Sequence, residues 1–295
     1  MISFRSHLLT LVSVFLALAV GVVLGGGPLS EVGRAGDQEQ VSGDDQAAAR
    51  SRAEAGDRFA GAVAAPLYGG RLAGRAVSVL TLPGADQEVV TALGEQVALA
   101  GGAVNVTQPV GEPLLDPTEK ALVDTLGSQL VAQLPADSVS ADATTYDRIG
   151  QVLGLTLAST SLEGAATNAQ SQAVLDGLVG AELLPEAPAR ERRAPLVLVV
   201  LGDEVEGEGG DSLLGGVLRG LGAAALGVVV AGTDGDPESQ LGRLRAGEDL
   251  AGLTSVDGVD QTPGQVAAVL ALIRSLDTRG GAFGASGADG PVPLG

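Results

Sequence analysis

Two short runs constrain this chain more than anything else in it. "LVLVVLG" (196–202) and "LGVVVAG" (226–232) are continuous apolar stretches of strand length, each closed by glycine. A strand that is apolar at every position must be covered on both faces. That is the environment of a central strand in a parallel sheet with helices on either side. Between the two runs, "DSLLGGVLRGLGAAA" reads as a helix weakened by its glycines. A strand, a helix and a strand in this order form a βαβ unit, which requires a parallel pairing.

The same alternation extends in both directions. "AVSVLTL" (76–82) reads as a strand and "PGAD" as a turn, with Asp86 at the start of a helix, "QEVVTALGEQVALAG", which Gly101 and Gly102 close. "AVNVTQPV" reads as a second strand. In "DPTEKALVDTLGSQLVAQL", Asp116 is placed to cap, Pro117 to occupy the first turn and Glu119 to complete a capping box. Further helices are expected over 144–157 and 169–183, and "PEAPARERRAP" divides this half from the next. Asp236 and Pro237 open a helix to about Arg245, and "LTSVDGV" is a short strand. "TPGQVAAVLALIRSL" is the last helix, with Thr262 as cap, Gln265 as its capping-box partner and an apolar stripe of Val266, Val269, Leu270, Ile273 and Leu276. The fold class is therefore α/β, a doubly wound, mostly parallel, Rossmann-like sheet over residues 66–278, with halves at 66–185 and 195–278. Residues 279–295 show no periodicity and read as a flexible Gly-rich tail.

The N-terminus has a different character. From Leu8 to Leu24 there is no charged residue. With the glycines that follow, the run reaches about 20 residues, the length that crosses roughly 30 Å of hydrocarbon. Arg5 precedes it and Glu31 is the first charge after it, which directs the rest of the chain out of the cytoplasm. Residues 1–30 read as a transmembrane signal-anchor. "ALA" at 17–19 offers the competing reading of a cleavage site. Residues 31–65 read as a polar linker and a short helix to about Val63, stopped by Pro66 and the Gly69-Gly70 pair.

Composition limits the chemistry. A formal net charge of -19 repels phosphate backbones, so no nucleic-acid partner is expected. There is no Cys, and the one His and the one Met are His7 and Met1. Triad catalysis and a soft-ligand copper site in the α/β domain both lack their residues. No G-x-G-x-x-G or Walker A pattern follows a strand, and no pair of carboxylates is singled out for catalysis. Two weak metal candidates remain. One is Met1 with His7 at the membrane edge. The other is an acidic loop, Asp203, Glu204, Glu206, Glu208 and Asp211, whose five carboxylates could gather a hard cation although their spacing matches no EF-hand. A solvated acidic loop is the plainer reading of the second. No firmly bound cofactor and no enzymatic activity are expected.

Certain stretches carry a resemblance. "MISFRSHLLTLVSVFLALAVGVVLGGGPL", the strands "AVSVLTLPGAD" and "LVLVVLGDE", and "GVDQTPGQVAAVLALI" with its "GGAFG" tail together resemble the actinobacterial copper transporter family MctB. The resemblance implies a membrane-associated envelope protein that keeps intracellular copper low, with copper as the transported species. It also implies a coiled coil after the anchor and, as in mycobacteria, a channel-like outer-membrane location. One helix cannot line a pore, so transport by such a chain requires a homo-oligomer or an envelope protein partner. The alternative is a membrane-tethered scaffold that docks a partner and has no direct metal role.

Overall fold

The computed structural model describes residues 28–187, 189, 191–205, 209–247 and 249–294, with side chains from residue 46 onward. The expected membrane anchor lies almost wholly outside the described residues. Among those described, no helix is long and apolar enough to cross a membrane.

The chain enters through α1 (Pro28–Tyr68), a helix much longer than the linker and short helix expected there. Pro66 does not stop it. It falls in the last turn, so only the final residues of the helix follow it, and Gly69 N–H closes the end by donating to the Ala65 carbonyl at 2.9 Å. Then follow β1 (Ala76–Thr81), α2 (Gln87–Leu99) and β2 (Ala103–Pro109). Asp86 caps α2 as its position predicts, accepting from Glu88 N–H at 2.8 Å. Next come α3 (Glu112–Leu115), a 3₁₀ turn (Pro117–Glu119) and α4 (Lys120–Val131). Asp116 does cap here, but its carboxylate takes the Thr118 N–H and the expected capping box does not form.

Helix α5 (Thr145–Leu157), the two-residue β3 (Ala165–Ala166), α6 (Ala169–Gly180) and β4 (Arg192–Arg193) precede the central strand β5 (Leu196–Val200). The rest is α7 (Gly210–Ala224), β6 (Gly227–Ala231), α8 (Gln240–Ala246), β7 (Thr254–Val256), α9 (Thr262–Arg274) and β8 (Gly281–Phe283). Asp236 and Pro237 stay in a turn rather than opening α8. Ser239 is the cap, its hydroxyl accepting from Gly242 N–H at 3.1 Å. Thr262 is the first residue of α9, not its cap. The cap is supplied from far away in sequence, by the Asp57 carboxylate accepting Thr262 N–H at 2.9 Å. Gln265 turns away and donates to the Val259 carbonyl.

Six strands form one sheet in the order β2-β1-β5-β6-β7-β8, and every neighbouring pair is parallel. β3 and β4 make a separate antiparallel pair. The stretch beyond residue 279, expected to be an aperiodic tail, instead supplies the edge strand β8, with Phe283 buried. The described residues from Gly56 onward form one compact unit, separate from those before it.

Alternation along the strands builds two cores. Val197 and Val199 of β5 face one, with α5, α6 and α7; Leu196, Leu198 and Val200 face the other, with α2 and α9. The apolar run that predicted a strand covered on both faces is one. The glycines of α7 do more than weaken a helix. A Cβ on Gly220 would lie 2.1 Å from the Asp147 carbonyl oxygen, and one on Gly150 of α5 would lie 2.2 Å from that of Val217. The two helices cross with their backbones in contact, which only glycine permits.

Candidate functional site

In a doubly wound sheet a ligand enters where the strand order reverses, outside the C-terminal ends of the strands. Here that point is β1, with β2 on one side and β5 on the other. The loops after β1 and β5 are built against each other. Leu82 N–H donates to the Val200 carbonyl at 3.0 Å, and Asp203 N–H to that of Pro83 at 2.9 Å. A Cβ on Gly202 would lie 1.9 Å from the Pro83 oxygen. Gly84, at φ +75°, lies directly under the Asp203 carboxylate, 2.1 Å from where its own Cβ would be. A carboxylate thus covers the glycine that a phosphate would have to approach. The switch point is packed with protein and negatively charged.

Two cavities flank this junction. One of about 720 Å³ opens between the ends of β5 and β6 and the start of α8, lined by Glu204, Asp234, Asp236, Glu238, Ser239 and Gln240 among others. The other, about 440 Å³, is lined by Pro83, Glu112, Asp116, Asp203 and Glu204 with their neighbours. Glu204 borders both. Thr118, through its N–H and its hydroxyl, holds the Asp116 carboxyl below the usual carboxylate range.

The acidic loop is partly neutralised from within the chain. Arg243 of α8 donates to Asp211 through Nε at 2.7 Å and Nη2 at 3.3 Å, and reaches Glu204 at 3.5 Å. The hydrogen bond to Asp211 holds the guanidinium further into its charged form. Of the residues singled out from sequence, Glu204 and Asp211 meet on this arginine, while Asp203 turns to Gly84. Glu206, Glu208, Met1 and His7 lie outside the described residues. Among those described, no group of three or more His, Cys, Asp or Glu side chains is arranged to hold a metal ion.

Sequence reasoning missed Arg243, which lies 32 residues from Asp211. It also missed the pair formed by Arg245 and Asp257. Asp257 is 2% exposed at the end of β7. It accepts from Arg245 Nη1 and from Ala285 N–H, both at 2.6 Å. Arg245 continues to Ser255 Oγ at 2.9 Å and to the Phe283 carbonyl at 2.7 Å. These bonds fasten β8 and the loop after it to the sheet edge. Only the alternation of Arg243 and Arg245 on a short helix hinted at them.

The site therefore offers acidic, water-accessible grooves and neither a phosphate cradle nor a soft-ligand cluster. Compared with known families, the chain matches the model described as "Copper transport outer membrane protein, MctB" over residues 1–293. The chain belongs to the MctB family. Curated MctB relatives named "Copper transporter MctB" occur in Mycobacterium bovis and in Mycobacterium tuberculosis strains H37Rv and CDC 1551. Each is 30% identical over 301 residues, covering 92% of this chain and 92% of the relative. The MctB match includes both the N-terminal apolar run and the residues of strand β8, so it is not confined to one segment of the chain. The family is named for transport and not for a catalysed reaction.

Proposed function

We propose that this chain is a cell-envelope protein acting in copper export and copper homeostasis, tethered by its N-terminal apolar run with the α/β unit outside the cytoplasm. The observation that carries the reading is the end-to-end family match over residues 1–293. The length of the run from Leu8 and the placement of Arg5 before it support the tether and its direction.

The role within copper export is that of an oligomer or an accessory factor. Beyond residue 7 the sequence contains no His, Cys or Met, so Cu(I) finds no soft ligand on the exported part of the chain. The same observation favours a second reading, a tethered scaffold that docks an envelope partner without handling metal. A deletion strain grown over a copper series separates the two. Copper sensitivity restored by the full-length chain is the result expected of copper export. Unchanged copper tolerance with an envelope defect is the result expected of the scaffold. Fractionation with an intact-mass measurement tests the tether, because a mature protein beginning at Val20 contradicts it.

A further inference from the structure

The chain carries 36 acidic and 17 basic residues, and five of its described arginines sit in ion pairs. Arg75, Arg148, Arg219, Arg243 and Arg245 each pair with a carboxylate. Arg193, on β4, pairs with none among the described residues. One of its terminal nitrogens donates to the Leu155 carbonyl at 2.8 Å, at the end of α5. Its Nε is buried and has no hydrogen-bond partner in the described structure. That nitrogen is closed to solvent, so what Arg193 offers a pocket ligand is the charge of its guanidinium rather than this donor. Burial accordingly lowers its pKa from the ordinary arginine value.

Arg193 borders a pocket of about 210 Å³ between the C-terminal ends of α5 and α7. Its other polar walls are Ser138, Gln151, Ser159 and Thr160, and no carboxylate lines it. These groups are placed as donors. The Gln151 amide oxygen is already taken by Ser140 N–H at 2.8 Å, which leaves its NH₂ to donate. Ser159 Oγ accepts from Ser161 N–H at 3.1 Å, which leaves its O–H to donate. A pocket of this volume with one cation, several donors and no carboxylate in its lining is complementary to a small oxyanion.

We propose that this pocket binds a small oxyanion of the phosphate type, either inorganic phosphate or the phosphate group of a small ester, with Arg193 as its anchor. The site stands apart from the acidic edge of the sheet and does not depend on the copper reading.

The test is thermal unfolding of the full-length protein titrated with inorganic phosphate and, in parallel, with glycerol phosphate, each matched for ionic strength with sodium chloride. The expected result is a saturable rise in Tm beyond the chloride control. A rise with inorganic phosphate alone assigns the free ion, and an equal or larger rise with the ester assigns an ester. Arg193→Gln should weaken the response at least tenfold in concentration. Ala223→Glu, at an exposed position on the pocket wall, should do the same by supplying a competing carboxylate, and it decides the matter if Arg193→Gln does not fold. Arg71→Gln, at an exposed arginine outside the pocket lining, should leave it intact. A response no greater than chloride, or one that survives Ala223→Glu, overturns the proposal.

Discussion

Gly150 and Gly220 show how little room a single residue has in this fold. Each sits where a Cβ would enter a neighbouring backbone oxygen, so the helices must separate if either is enlarged. Overpacking of this kind typically costs about 1–3 kcal/mol. We expect Gly150→Val and Gly220→Val to lower the urea midpoint markedly, while Gly180→Val, where a Cβ meets nothing within 4 Å, changes it little. Equal midpoints for all three would contradict the close crossing of α5 and α7. The tyrosines give a second test at this scale. Tyr68 is fully buried and its hydroxyl donates to Gln96 Oε1 at 2.5 Å; burial pushes its pKa up to about 12. Burial also raises Tyr146, helped by the Asp116 charge. A folded pKa above the unfolded one favours the protonated form in the fold. The Tyr68 contribution is therefore complete below about pH 10 and is lost as pH rises toward 12. The chain has two tyrosines and no tryptophan, so tyrosinate absorbance reports them cleanly. We expect absorbance to rise later in the folded protein than in urea, and Tyr68→Phe to flatten stability between pH 10 and 12. A folded titration that overlays the unfolded one would contradict the buried placement.

At the scale of elements, β8 depends on a buried ion pair. Removing one partner of such a pair leaves the other charge unpaired and costs about 3–5 kcal/mol. Asp257→Ala should therefore destabilise the protein strongly and expose the amides of 281–286 to hydrogen exchange, whereas Asp289→Ala, on the outer side of the same loop, should loosen the loop with a smaller loss. Exchange protection of β8 unchanged in Asp257→Ala would refute the fastening. Asp57 is a milder case. As a cap on α9 contributed by α1, its replacement by Ala should cost about 1 kcal/mol. These two elements also mark the limit of what the sequence made legible. β1, β2, β5 and β6, α2, α5 and the body of α9 could be read because their periodicity is local: alternation or continuous apolarity for strands, the 3.6 repeat and caps for helices. β8 could not, because a three-residue edge strand amid glycines carries no period and is held by Arg245 and Asp257 from other elements. Local sequence points to Thr262 as the cap on α9, because the true acceptor of its N–H, Asp57, lies 205 residues away. The same holds for the acidic edge. The carboxylates were visible in one loop, but the arginine that neutralises two of them comes from another helix.

For the whole molecule, the α/β architecture and the family follow from different parts of the chain. The sheet positions an acidic, protein-filled switch point where nucleotide-binding proteins of doubly wound architecture in general keep a glycine cradle. The proposed copper role attaches to a family match that runs from the first residue to residue 293. Between them stands a chemical constraint: no thiolate, imidazole or thioether beyond residue 7. Under the proposal above, copper passage therefore falls to an oligomer or a partner. The isolated purified chain is expected to bind Cu(I) no more tightly when His7 is present than when it is replaced by Gln. The most direct test of the central claim is the copper content of cells, measured by mass spectrometry at a fixed sub-inhibitory copper concentration, in wild type, a deletion strain and the deletion complemented with the full-length chain. A several-fold rise in cell-associated copper on deletion, reversed by complementation, is the expected result. Copper content equal in all three strains would contradict it.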